Sequence, residues 1–503
     1  MKKLYVLCIL LFLAVRLAGI GYDISNSDAL RWHRRAENFL TALKTLNLKE
    51  TYQHYQPGVT LMWVDAAVKQ FSTWYQLAYT AAPKTLEMAE FYPISHGISK
   101  GVLVAVLAGL LVFQIYCISK LFDKKVALFY VFLISVEPYI IGLNRWFHLT
   151  SLEVFFAFSS LLSLLVWYKN KETKKRKFSF PIFLLLSAIF FALSVLSKTS
   201  TFMLLPVYLF IFWKNFKEHR EYKSFLAFAA AAILTALLVF PALTANPQYV
   251  FARVYRSLRL AVTEDPGMFI WNWYLGPFYY LVVLLFKMSP VTLVLSVISI
   301  WYLHRTKTYA KNFNIQVFSL VLISYYVFLS LSSKKIDRYS LAFFPYLLLF
   351  SSVYLSRLNF KKQIFVGLAS LLFLSYVIYV YHPVYSAYYS PLFGGTKTAL
   401  KLKIYDNSGE YYAQAAEYLN TKGRDVIVYT PNNFDSFSPF YIGKFQAGFN
   451  GNTNYAVYSL DSERPVLEPT LPCYSSNSKT GKMQSFAAFG PRNYKVVFVF
   501  ACR

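Results

Sequence analysis

Asp28 stands in the segment SNSDALRWHRRAENFL, five residues beyond Asp23. A carboxylate there, just past an apolar N-terminal run, has the chemistry of a general base. The same Ser-Asn-Ser-Asp pattern also fits a helix N-cap, where an acid suits the positive helix end. Both readings stand, and Asp23 competes for the first. Further on, Arg145, His148 and Glu153 cluster after Glu137-Pro138. Glu137 and His148 offer two ligands to a divalent metal, fewer than a complete set. Lys287 falls inside FYYLVVLLFKMSP, and Lys334, Lys335 and Arg338 fall in SSKKIDRYS. One lysine near a bilayer edge is explained by snorkelling. Four fixed cations at a membrane face suit a lipid-linked phosphate or pyrophosphate, held by point charge and a bidentate Arg fork. His54-Tyr55-Gln56-Pro57-Gly58 marks a turn ahead of an interfacial stretch through Trp63 and Trp74. There is no P-loop, no G-x-G-x-x-G before a helix, no H-E-x-x-H and no C-x-x-C, so nucleotide-driven chemistry has no visible equipment.

The elements that must position these groups are membrane spans. The 503 residues are 56% hydrophobic, 19% aromatic and only 15% charged, with mean hydropathy +0.40. Soluble domains carry about a quarter charged residues, so this apolar surplus needs lipid to cover it. Disorder, collagen, coiled coil and disulfide miniproteins are excluded. The 51 Lys+Arg against 24 Asp+Glu give +27. Because the basic residues cluster between apolar runs, they speak of topology and anionic headgroups rather than nucleic acid.

Apolar runs at 4–20, 101–119, 126–143, 152–168, 178–196, 201–213, 225–243, 288–302, 313–332, 341–355 and 364–381 predict a polytopic α-helical protein of about 11 spans. The first is an uncleaved span, because Arg16 interrupts it and no A-x-A-like site follows. With the N-terminus cytoplasmic, the basic loops at 120–125, 169–177, 214–223, 305–311 and 357–362 all lie inside. Outside fall the long pieces 21–100, 244–280 and 382–503. The turn 333–340 is then external although basic, which calls for a reason. The division expected is a membrane domain over 1–381, with first external loop 21–100, and an extracytoplasmic α/β domain over 382–503. In the latter SGEYYAQAAEYLN has helical periodicity, and DVIVYT and YKVVFVF read as strands. Cys473 and Cys502 are its only thiols and are expected to pair in an oxidising space.

Taken in order, several segments resemble the polyprenyl-phosphate-sugar-dependent glycosyltransferases of the GT-C superfamily, nearest to protein O-mannosyltransferases and aminoarabinose transferases. SDALRW is similar to their first-loop Asp-Glu motif, with Ala29 in the second place. Gln56-Pro57-Gly58 resembles their loop turn, and Arg145-Trp-Phe-His148-Leu-Thr150 their Arg…His-x-Asp element, with Thr150 for Asp. Leu196-Ser-Lys198-Thr-Ser200, Lys287-Met-Ser-Pro290, Lys334 to Tyr339 and His382-Pro383 continue the series. The resemblance implies transfer of a sugar from a polyprenyl-phosphate donor in the bilayer to an acceptor hydroxyl on a protein, lipid or glycan outside, with inversion. It implies Asp28 as base and Lys287, Lys334, Lys335 and Arg338 around the donor phosphate. Gln56, Arg145, His148 and Glu153 are further site candidates, with Glu153 or Glu137 as a substitute second carboxylate. Two other classes compete: a lipid or solute transporter, against which the lack of repeated halves speaks, and an inactive relative serving as a scaffold, for which Ala29 and Thr150 speak.

Overall fold

A computed structural model describes residues 1–79, 88–172, 180–263, 276–332, 335–446, 448–461, 464–468, 470–473 and 486–502. Among these residues five helices are long and apolar enough to cross a bilayer: Ala89–Leu121, Leu149–Lys171, Phe313–Leu331, Asp337–Arg357 and Phe360–Tyr381. The pair Lys124–Val136 and Pro138–Asn144, bent by 69°, makes a sixth. Shorter apolar helices are Pro181–Ser197, Lys223–Val239, Gly276–Lys287 and Pro290–Arg305, and the chain begins with the helix Lys2–Leu17. The protein is a membrane protein. The remaining runs of the expected set form helices shorter than the ~20 residues of a perpendicular span. The run 201–213, for instance, divides into a 3-10 turn, Thr199–Leu204, and the helix Leu205–His219.

The central helix, Leu149–Glu172, is enclosed on all sides along its apolar length. No water reaches its hydroxyls, so each must find a protein partner. The Gln114 amide donates to Ser159 Oγ at 3.1 Å. Ser160 donates to the Ser187 carbonyl at 2.6 Å and accepts from the Tyr208 hydroxyl at 2.7 Å. The bend at Glu137 has a local cause. Pro138 supplies no N–H and pushes the preceding residue towards extended backbone, and Glu137 sits at φ −73°, ψ 115°.

The two ends of the bundle differ. At one, Lys169 donates to the carbonyls of Lys120 and Leu121 at 2.8 and 3.1 Å, and Lys171 to Asn215 Oδ1 at 2.8 Å. Lys214 lies 4.0 Å from the centre of the Phe313 ring. The loops 120–125, 169–172 and 214–223 therefore share one end with the start of the Phe313 helix. Residues 173–177 of the expected basic loop, and the side chain of Trp74, lie outside what is described. The opposite end gathers 18–28, 145–150, 197–200 and 335–343.

The chain beyond 381 lies against that second end. The helix Tyr412–Asn420 packs on a five-stranded sheet of β1 Ile427–Tyr429, β2 Lys444–Gln446, β3 Tyr455–Ser459, β4 Ala487–Phe489 and β5 Val497–Ala501. The order is β2-β1-β3-β5-β4, with β1 parallel to β2 and β3 and β5 antiparallel to β3 and β4. The helix and two strands expected from sequence fall at Tyr412–Asn420, β1 and β5. Val496 to Phe500 are buried in succession, so both faces of β5 are covered. Cys473 and Cys502 are joined in a disulfide with Cα atoms 4.7 Å apart.

Candidate functional site

Asp23 and Asp28 have opposite surroundings. Asp23 is fully buried and pairs with Lys100 Nζ at 2.6 Å and Arg145 Nε at 2.9 Å. Burial alone would raise its carboxyl, but these two cations outweigh it and hold it below the usual range. Arg145 also donates to the carbonyls of Val15, Arg16 and Ala18. This cluster ties the end of the first helix to the turn after Asn144, and it occupies Arg145 away from Asp28.

Asp28 occupies the N-cap position of the helix Ala29–Lys44, yet its side chain makes no capping hydrogen bond. It turns instead towards Arg338 Nη2 at 3.4 Å and His148 Nε2 at 3.5 Å, and stays 28% exposed. Burial by itself would raise this carboxyl. The His148 contact and the charges of Arg338 and Arg31 outweigh burial and hold it well below the usual carboxylate range. Asp28 is thus an ionised carboxylate that solvent can reach. His148 is pushed down to about 4, first by burial and then by Arg338, against the pull of Asp28. Its Nδ1 accepts from the Thr150 backbone N–H at 3.3 Å and lies 3.0 Å from Thr150 Oγ1. In the neutral ring the proton therefore sits on Nε2, facing Asp28. Thr150 sets this tautomer without adding a charge.

The expected phosphate-binding cations have unequal freedom. Lys287 pairs with Asp337 at 3.0 Å and lies 3.5 Å from the centre of the Tyr389 ring. Lys335 donates to the Leu329 and Ser330 carbonyls, both at 2.7 Å, and so caps the helix Phe313–Leu331; burial lowers it to about 8. Lys334 lies outside the described residues. Arg338 reaches Asp28 with Nη2 and Ser408 Oγ with Nη1, at 3.5 Å. Its Nε is buried without a partner among the described residues. Of these cations, Arg338 combines contact with Asp28 and a donor left over.

The other candidates frame the site. Gln56 Oε1 accepts from the Thr199 N–H and hydroxyl at 3.3 and 3.2 Å, joining the first loop to the turn after Ser197. Gly58 permits a second close approach, to the helix Ala29–Lys44: its φ is +60°, and a Cβ would lie 2.2 Å from Trp32 Cζ3. Glu153 lies 3.8 Å from Lys198 Nζ and accepts from the Ser200 hydroxyl, while Lys198 stands 3.8 Å from the centre of the Tyr339 ring. Glu137 accepts from the Ser289 N–H at 2.9 Å and the Thr292 hydroxyl at 2.6 Å, at the start of the helix Pro290–Arg305, where an acid is favoured. Glu137 and His148, the expected metal pair, thus serve different partners. Among the described residues no three His, Cys, Asp or Glu side chains converge as a metal set.

The site also contains residues that the sequence reading did not single out. Ser27 N–H donates to the Ser408 carbonyl at 2.8 Å, Arg31 pairs with Asp435 at 2.7 Å, and Ser408 Oγ donates to Asp406 Oδ2 at 3.1 Å. These contacts bring the segment Asp406-Asn407-Ser408 beside Arg338 and Asp28. In sequence it is an Asp-Asn-Ser-Gly turn, indistinguishable from any other loop.

No protein-family model and no curated protein matches the chain. Eighteen solved chains do match in structure. ArnT from Cupriavidus metallidurans, bound to undecaprenyl phosphate, is 12% identical with a TM-score of 0.50, over 98% of this chain and 97% of that one. The Archaeoglobus fulgidus oligosaccharyltransferase, tethered to an acceptor peptide with the NVT sequon, is 12% identical with a TM-score of 0.50, over 91% of this chain and 69% of that one. Both are GT-C glycosyltransferases. The resemblance expected from the ordered motifs therefore holds at the level of the fold.

Proposed function

We propose, from the GT-C fold and the open Asp28 carboxylate, that this chain is a glycosyltransferase that moves a hexosyl or pentosyl group from a polyprenyl-phosphate donor to an acceptor hydroxyl on the extracytoplasmic side. The observation that carries the reading is the ionised, reachable Asp28 between His148 and Arg338. ArnT, similar in fold along nearly its whole length, holds undecaprenyl phosphate, which supports a lipid-borne phosphate as the ligand class.

In the reaction the acceptor oxygen bonds to the anomeric carbon while the bond from that carbon to the phosphate oxygen breaks. The electron pair leaves with the phosphate, and the acceptor proton passes to Asp28. Arg338 stabilises the charge that develops on the departing phosphate, and its planar fork can hold two oxygens at once. While Arg338 faces Asp28 alone, the carboxylate is a weak base. A phosphate that shares the guanidinium offsets part of that positive field and raises the basicity of Asp28 when donor is present. His148 keeps its Nε2 proton and orients the carboxylate. Lys287, neutralised by Asp337, holds the residue next to Arg338 in place. The helices surrounding the site hold donor and acceptor together, which supplies much of the rate.

This reading sets the basic end of the bundle in the cytoplasm, about 11 spans in all counting the short helices, and 382–503 as an extracytoplasmic α/β domain over a 1–381 membrane domain. Purified protein given radiolabelled polyprenyl-phosphate hexoses and pentoses, with membrane extract as acceptor source, should release polyprenyl phosphate from at least one donor. Binding of the lipids without turnover in any acceptor extract would favour a scaffold instead.

A further inference from the structure

We propose that Asp406 is the second substrate-facing carboxylate of the site and accepts a hydrogen bond from a hydroxyl on the sugar of the donor. The inference rests on the glycosyltransferase reading above and adds the group that selects the sugar. Five carboxylates near the site are closed off. Asp23 and Glu137 are fully buried, and Glu153, Asp337 and Glu410 are at most 6% exposed. Glu410 has both oxygens occupied, by the Ser386 hydroxyl and the Ser408 N–H. Asp406, by contrast, is exposed, although Ile404, Tyr405, Asn407 and Ser408 around it are all buried. A single exposed acid within a buried segment is an acid presented to something.

Geometry says to what. Arg338 joins Asp28 through Nη2 at 3.4 Å and Ser408 through Nη1 at 3.5 Å, and Ser408 Oγ in turn donates to Asp406 Oδ2 at 3.1 Å. The guanidinium therefore lies between two reachable carboxylates. If the phosphate of the donor engages Arg338, its sugar, one bond away, lies within reach of whatever flanks that guanidinium. Asp28 on one side takes the acceptor proton. On the other side Asp406 has one oxygen held by Ser408 and the second without a hydrogen-bond partner among the described residues. An oxygen fixed in this way discriminates strongly between a sugar that presents a hydroxyl and one that lacks it.

The test is binding, which needs no acceptor. Affinities of the full-length protein in detergent are measured for undecaprenyl phosphate and for undecaprenyl-phosphate hexoses and pentoses. At least one sugar-bearing lipid should bind more tightly than the bare phosphate. Asp406→Asn should remove that increment, a loss of about tenfold or more for a hydrogen bond to a charged group, while the affinity for undecaprenyl phosphate does not fall. Ser408→Ala should remove part of it. Arg338→Ala should weaken every lipid alike, which a merely structural role for Asp406 would also make Asp406→Asn do. An increment untouched by Asp406→Asn, equal weakening of bare and sugar-bearing lipids, or no increment in the wild type would each overturn the inference. Absence of binding to any of the lipids would overturn the glycosyltransferase reading itself.

Discussion

Replacing Arg338 by Lys keeps the charge but removes the fork that reaches Asp28 and Ser408 together. Under the phosphate reading Arg338→Lys should impair transfer and Arg338→Ala impair it further, seen in donor titrations as loss of binding, turnover or both. Were Arg338 only a structural tie of its turn, Arg338→Lys would be nearly silent; Asp337, expected as its local ion-pair partner, pairs with Lys287 instead. A pH profile tests the neighbouring acids. Asp28 is held well below the usual range and His148 is pushed to about 4, so neither changes charge between about pH 5.5 and 8. Crowding of its carboxyl by the surrounding protein and the facing Asp337 and Asp461, against Arg338 and Ser408, raises Asp406 above the usual carboxylate value even though the residue keeps exposed surface. Its ionised form is therefore lost before that of Asp28 as pH falls. The account predicts an acid limb in kcat/KM that shifts in Asp406→Asn; a limb unchanged in the variant would speak against it. Asp28 is legible in the sequence as a candidate because a capping pattern and a motif coincide there. The choice between Asp23 and Asp28 is not, since it depends on Lys100 and Arg145, which come from distant segments.

At the scale of elements, local signals carried far. The helix and two of the five strands of the C-terminal part follow their periodicity, whereas the run 126–143, expected as one span, is bent by 69° at Pro138. What periodicity could not supply is where a polar side chain on one element spends its hydrogen bonds on another. Glu137 looks catalytic in isolation, yet it closes the start of the helix Pro290–Arg305. Gly142 looks incidental, yet a Cβ there would meet the Ser386 backbone at 2.4 Å. The disulfide was expected because Cys473 and Cys502 are the two thiols of the tail. It closes a loop with a sequence separation of 29, and such closure contributes about 3 to 4 kcal/mol. Cys502→Ser should therefore lower the thermal or denaturant midpoint of the C-terminal part. Both cysteines should also resist alkylation in the native, unreduced protein; ready labelling of both would deny the bond.

Across the whole molecule, the loop charges pointed to one basic end, and the structure gathers 120–125, 169–172 and 214–223 there, away from Asp28. The number of crossings was less legible. Hydropathy marks apolar runs without saying whether a 12-residue helix such as Gly276–Lys287 crosses the bilayer or only enters it. Orientation has a direct check: a reporter active only in the cytoplasm, fused after residue 503, should be silent, and a bright fusion would reverse the sidedness of the site. The central claim, that Asp28 is the base of a lipid-linked sugar transfer, is tested most directly by comparing wild type and Asp28→Asn on the same radiolabelled polyprenyl-phosphate donor, with donor binding measured alongside. Asn keeps the shape of Asp, and Asp28 makes no capping hydrogen bond to lose, so only its partly exposed contacts with Arg338 and His148 weaken and stability should change by no more than about 1 kcal/mol. The account predicts intact donor binding and a fall in transfer of at least ~10²–10⁴-fold. Transfer by Asp28→Asn at close to the wild-type rate would contradict it.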